Sequence, residues 1–208
     1  MSTILVVDDE EELLTLVETI LKGAGYRVLT ALNGPEALSV LEREEVDLVL
    51  LDVMMPGMDG WEVAAEIRKN PRTRDVPVAM LTVKAMSPQY FYSKDAEGIM
   101  DYINKPFSKK ELLDRVKGVL DTVATINAMR ERLADAAAPD LIKEYEDLLR
   151  AEQLYKNLNM SLRLSLERSE KGSEDHKLLK EAVEYGKVLL KEVKKKKDTY
   201  ERFIKDLK

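Results

Sequence analysis

Three carboxylates and two donors stand where short apolar runs of the sequence stop. Asp8 and Asp9 follow "ILVV", Asp52 follows "LVLL", Thr82 follows "VPVAML", and Lys105 lies in "INKP". If those runs are parallel strands, residues just past their carboxyl ends converge on the crevice where an open α/β sheet changes winding direction. Three like charges in one pocket repel, so a cation must neutralise them or protons must stay on. Hard oxygen ligands in this number suit Mg2+, which keeps several waters and takes one or two carboxylates plus a phosphate oxygen. A hydroxyl and an ammonium facing them supply the donors and charge that an incoming phosphoryl group needs while Asp52 attacks phosphorus. The set reads as an aspartyl-phosphate site.

Positioning these residues requires strands separated by helices. "TILVV", "YRVLT", "VDLVLL", "VPVAML" and "MDYI" are the strand candidates, and amphipathic stretches at 10 to 24, 35 to 45, 60 to 70 and 88 to 97 lie between them. A fifth helix starts at Ser108. The alternation calls for βαβ crossovers and an α/β fold, a doubly wound five-stranded parallel sheet with helices on both faces. The central runs are apolar without alternation, as strands buried on both sides should be.

The spread of "VVDDE", "LLDVMMPGMDG", "LT" and "DYINKPF" along the chain resembles the receiver domain of two-component response regulators. The resemblance covers residues 1 to about 122 and implies the flavodoxin-like strand order 2-1-3-4-5. It implies Asp52 as phosphoacceptor, Asp9 as direct Mg2+ ligand, Asp8 as a metal-site acid acting through water, and Met54 as donor of a backbone carbonyl to the metal. Lys105 would pair with the phosphoryl group, and Thr82 would move to hydrogen-bond it. Tyr102 would swing inward when Thr82 moves, and Pro106 resembles the family's cis-proline. The implied partner is a sensor histidine kinase, and the implied protein is a phosphoacceptor with at most slow autodephosphorylation, not an enzyme. Two features depart from the family's pattern. Val83 replaces the usual small residue after Thr82, which predicts an altered phosphoryl lifetime, and "YFY" at 90 to 92 is aromatic on the signalling face.

Beyond residue 108 the pattern changes. Residues 1 to 108 carry 10 Lys/Arg against 19 Asp/Glu, a net of −9, whereas residues 109 to 208 carry 23 against 20, a net of +3. Leu112, Val116, Val119, Val123 and Ile126 keep helical spacing, so the fifth helix should run unbroken past the receiver and could pass a shift along a rigid rod. "AAAPD" (136 to 140) marks a break. A helix at about 140 to 170 follows, with Leu141, Tyr145, Leu148, Tyr155, Leu158 and Leu162 on one side. "EKGSED" marks a turn, and a last helix spans about 174 to 207. Its heptad positions hold Leu179, Val183, Leu190, Val193, Tyr200, Ile204 and Leu207, with Gly186 and Lys197 as interruptions. Leu178, Ala182 and Leu189 widen that stripe, which favours more than one packing neighbour. Residues 123 to 208 are thus expected to form an all-α hairpin, bundle or coiled-coil module.

Such a module fits output through a protein partner or self-association, by way of these helices and the faces of the fourth and fifth receiver helices. Three alternatives draw on particular features. A DNA-binding output would need a compact module with a basic face; the one basic run, "KEVKKKK" (191 to 197), sits among acids and suits a solvated helix face. A phosphorelay function would use His176, the only histidine, although the pattern around it is that of an ordinary surface residue. An enzymatic output would need a phosphate-binding Gly-rich loop, an HExxH pair or a second cluster of strand-end acids, and none is present. The chain has 208 residues, 45% hydrophobic and 35% charged, with no Cys. That composition rules out disulfides and thiolate chemistry and suits a cytoplasmic protein. The start "MSTILVVDDE" reads as neither signal peptide nor span, so no membrane association is expected.

Overall fold

The computed structural model describes residues 1–83, 98–133 and 139–206. The helix expected at 88 to 97 with its "YFY", Lys84, most of "AAAPD" and Leu207 lie outside them. Strands β1 (Thr3–Val7), β2 (Arg27–Ala31), β3 (Leu48–Asp52), β4 (Val78–Thr82) and β5 (Ile99–Asn104) form one parallel sheet in the order β2-β1-β3-β4-β5. Its helices are α1 (Glu11–Gly23), α2 (Gly34–Arg43) and α3 (Gly60–Lys69), with α4 (Lys109–Leu133) after β5. The fold is the flavodoxin-like doubly wound sheet that the alternation requires.

Each central strand is sealed on both faces. Ile4 to Val7 and Leu48 to Leu51 have no exposed surface, which is why neither run alternates apolar with polar. Leu14, Val17 and Leu21 place one face of α1 in the core, and Val63, Ala64 and Ile67 do so for α3. Helix starts follow local chemistry. The Asn33 side chain accepts the Glu36 N–H at the start of α2, and Asp59 and Glu62 form a reciprocal capping box on α3. Ser108 Oγ accepts the Glu111 N–H at 3.1 Å, so the residue expected to begin the last receiver helix caps it.

The chain divides into two compact units between Lys117 and Gly118, inside α4, which runs unbroken to Leu133. The second unit contains the rest of α4, α5 (Pro139–Arg168) and α6 (Glu174–Asp206). Pro139 opens α5 at the position where a missing N–H costs nothing, and Asp140 follows in the first turn. Helices α5 and α6 run antiparallel: Tyr145 hydrogen-bonds Glu201, Lys197 pairs with Glu152, and Gly186 abuts Asn159. Ile126, Met129 and Leu133 of α4 close one end of this unit with Tyr145, Leu149 and Ile204.

Two features of α6 differ from the sequence expectation. Gly186 and Lys197 do not interrupt its seam but belong to it. Gly186 is buried against the Asn159 amide, and the Lys197 ammonium lies 2.5 Å from Glu152. The stripe is also narrower than expected, because Leu178 is 51% exposed while Ala182 and Val183 are buried. A seam that takes one residue every three or four positions leaves Leu178 on its flank. Among the described residues no helix is long and apolar enough to cross a membrane.

Candidate functional site

Most expected site residues of the sheet lie at or just past a strand's carboxyl end, whereas Tyr102 lies inside β5. Asp52 is the last residue of β3 and Thr82 the last of β4, while Asp8 follows β1 and Lys105 follows β5. Adjacent strands lock these ends together: Val53 donates its N–H to the Leu81 carbonyl at 3.0 Å, and Lys105 donates its N–H to the Thr82 carbonyl at 2.7 Å. Sheet topology therefore brings together residues 97 positions apart.

The Lys105 ammonium lies 2.6 Å from Asp8 Oδ2 and 2.6 Å from Asp52 Oδ1. Asp8 and Asp52 are buried, and the Lys105 side chain is only 10% exposed. Asp8 Oδ1 accepts the Glu10 N–H at 3.1 Å, and Asp52 Oδ2 accepts the Met54 N–H at 2.8 Å. Burial pushes the Asp8 carboxyl above its ordinary range, against the hydrogen bonds from Lys105 and Glu10 that favour the anion. Burial by itself would lower the Lys105 ammonium, but its bonds to Asp52 and Asp8 outweigh that and hold it above its ordinary range. One cation thus faces two buried carboxylates, with Asp9 exposed beside them.

Ligand oxygens of Asp8, Asp9 and Asp52 all lie within 4.8 Å of one another. Three hard oxygen donors, carrying more negative charge than Lys105 offsets, fit a small divalent cation such as Mg2+. Met54 contributes its N–H to Asp52, and its side chain is exposed. Thr82 is buried, and Val83 beside it is 58% exposed. The Lys105–Pro106 peptide bond is cis.

Tyr102 has no exposed surface, and its ring packs 6.1 Å from the Trp61 ring at a tilt of 46°. Two contacts here were not foreseen. Trp61, the chain's only tryptophan, directly follows "MDG", a position that could have marked it as a neighbour of the site. Gly60 comes so close to β3 that a Cβ there would lie 2.2 Å from the Asp52 carbonyl oxygen. His176 lies in the second unit, in the first turn of α6, where its Nδ1 is 2.8 Å from Ser169 Oγ. Lys191, Lys194, Lys195 and Lys196 are exposed on α6.

The first unit is thus a doubly wound parallel α/β domain that gathers an acid triad and one lysine at its strand ends. The model of the response regulator receiver domain matches residues 4–117, and the chain belongs to that family. A similar curated protein is "Probable transcriptional regulator ycf27" of Porphyridium aerugineum, 45% identical over 120 residues that make up 58% of this chain and 48% of that protein. The chain spans about half the length of the curated relatives it matches. Among solved structures, the Vibrio cholerae chemotaxis protein CheY4 is 34% identical with a TM-score of 0.54, covering 57% of this chain and 98% of its own. The response regulator protein TrrA of Thermotoga maritima, solved in complex with Mg(2+)-BeF, is 39% identical with a TM-score of 0.51, covering 57% and 99%.

Proposed function

We propose that this receiver accepts a phosphoryl group on Asp52 from a sensor histidine kinase and signals through protein contacts or self-association of its helical unit. The observation that carries the reading is Lys105 bridging Asp8 and Asp52 at 2.6 Å each within a ring of acid oxygens. The Met54 N–H orients Asp52 by holding one of its oxygens. The other oxygen bonds Lys105, which can pass its hydrogen bond to a phosphoryl oxygen as the carboxylate becomes an acyl phosphate. Thr82, joined to Lys105 through the backbone, supplies a hydroxyl for a second phosphoryl oxygen. Asp8, Asp9, Asp52 and the Met54 carbonyl would hold Mg2+, which supplies charge neutralisation at the transferring group.

Tyr102 follows Thr82 in this reading, so its packing on Trp61 becomes the two-state element that one added charge biases. The protein turns over no substrate of its own beyond slow autodephosphorylation, and it works in the cytoplasm beside its kinase. The test is uptake from acetyl phosphate with Mg2+, followed by solution mass measurement with and without beryllofluoride. Uptake that Asp52→Asn abolishes supports the reading, and a change in oligomeric state would identify self-association as the output.

The name of the ycf27 relatives favours a second reading, in which the output is transcriptional. The matched stretch has the length of a receiver alone, and among its described residues the helical unit holds long helices, not the short ones of a DNA-reading module. Salt-dependent binding of the full chain to duplex DNA would promote it.

A further inference from the structure

We propose that the helical unit carries a second site, a cleft among α4, α5 and α6 that binds a small apolar monocarboxylate. The inference stands apart from the phosphoacceptor site and lies wholly within the second unit. The cleft measures about 450 Å3. On α4 it is lined by Thr125, Ala128, Met129 and Arg132, whose spacings of three and four put them on one helix face. Glu201, Ile204 and Lys205 line it in the same way on α6, and Tyr145 lines it from α5.

Clefts of about 300 to 1,000 Å3 hold small organic ligands when an apolar lining is joined by a few placed polar groups. The apolar part here is the core of the unit itself, since Met129, Tyr145 and Ile204 are buried members of one cluster. Thr125 spends its hydroxyl on the Asp121 carbonyl at 2.8 Å, and Ala128 ends at its methyl group, so this face of α4 leaves room instead of filling it. The polar groups select the ligand's charge. Glu201 is already engaged, because its carboxylate accepts the Tyr145 hydroxyl at 3.0 Å. Arg132 stands close enough to Tyr145 to favour loss of its proton, against the opposite effects of burial and Glu201. Arg132 and Lys205 are exposed, and neither forms an ion pair among the described residues. Two cations against one acid leave one positive charge, which a single carboxylate cancels. The guanidinium and the ammonium come from different helices, so one carboxylate can bridge them while its apolar body covers Met129 and Ile204.

The test uses the full chain, with sodium octanoate as the aliphatic probe and sodium 2-naphthoate as the aromatic one, in calorimetric titration and thermal unfolding. The expected result is saturable binding of one molecule per chain by at least one of the two acids, with a melting temperature that rises with its concentration. The preferred acid then tells an aliphatic ligand from an aromatic one. Octan-1-ol should bind more weakly than octanoate, and octylamine should not bind. Arg132→Gln and Lys205→Gln should each weaken binding about fivefold, the worth of one exposed charge contact. Ala128→Leu should fill the cleft and abolish binding in a chain that still folds. The two charge variants, at exposed positions, keep the test open should Ala128→Leu fail to fold. Absence of saturable binding of either acid by the folded wild-type chain would overturn the proposal. So would octanoate binding that octan-1-ol matches, or binding that the two charge variants leave unchanged.

Discussion

Replacing Gly60 by alanine tests whether the placement of Asp52 depends on how closely α3 approaches the end of β3. The added Cβ would lie 2.2 Å from the Asp52 carbonyl oxygen and 2.9 Å from the Val53 Cα. Even a favourable C–H···O approach sits at about 3.3 to 3.6 Å, so the two backbones must part by about 1 Å. The opposing atoms are main chain, and no change of rotamer relieves them. Gly60 also donates its N–H to the Val53 carbonyl at 3.1 Å, so the strain falls on the bond that joins helix to strand. Alanine returns at most about 1 kcal/mol of helix propensity, against about 1 to 3 kcal/mol for overpacking. The expected net loss is about 1 kcal/mol, with a larger effect on chemistry, because a displacement of about 1 Å in a reacting group can cost on the order of 100-fold. Urea denaturation and the initial rate of phosphoryl uptake from acetyl phosphate with Mg2+ measure the two effects. Gly60→Ala should fold, lose stability by about that amount, and load at least tenfold more slowly. Wild-type stability together with a wild-type loading rate would refute the reasoning.

Other outcomes follow from the same structure. Gly186→Ala places a Cβ 2.6 to 2.8 Å from the buried Asn159 amide, so it should destabilise the helical unit despite alanine's propensity; adding Asn159→Ala should reverse the sign in a double-mutant cycle read by denaturation. Val83→Ala removes exposed bulk beside Thr82 and should speed autodephosphorylation several-fold; equal decay rates in a phosphate-release assay would count against a role for Val83. Tyr145 is held to about 12 by burial and by its hydrogen bond to Glu201. The folded chain therefore keeps that proton longer than the unfolded chain does, so its contribution is full below about pH 10 and lost as pH rises toward 12. Denaturation at pH 9 and pH 11 should show a smaller alkaline loss in Tyr145→Phe than in wild type.

The site was legible in the sequence because the code for it is local. An apolar run with no alternation marks a strand buried on both faces, and an acid directly after such a run has nowhere to go but the crevice at the strand's end. Asp8, Asp52, Thr82 and Lys105 could be placed that way, and the structure brings Asp8, Asp52 and Lys105 into one hydrogen-bonded cluster. What stayed hidden depends on distant partners. Gly60 looks like one more turn glycine until the Asp52 carbonyl is seen against it. Asp101 and Arg115 read as ordinary charges on a strand and a helix, and only their mutual burial marks them as a pair. Gly186 and Lys197 seemed to break the α6 seam because their partners, Asn159 and Glu152, lie on α5 and answer a missing side chain and a half-buried charge. The limit of the wide α6 stripe was equally a matter of neighbours, since Leu178 is apolar wherever it points.

The most direct test of the central claim is intact-mass and peptide mapping of the full chain after exposure to acetyl phosphate and Mg2+. The account predicts one phosphoryl group per chain, carried on Asp52, labile as an acyl phosphate, and absent from Asp52→Asn. No uptake by the folded wild-type chain, or uptake on His176 that survives Asp52→Asn, would contradict it.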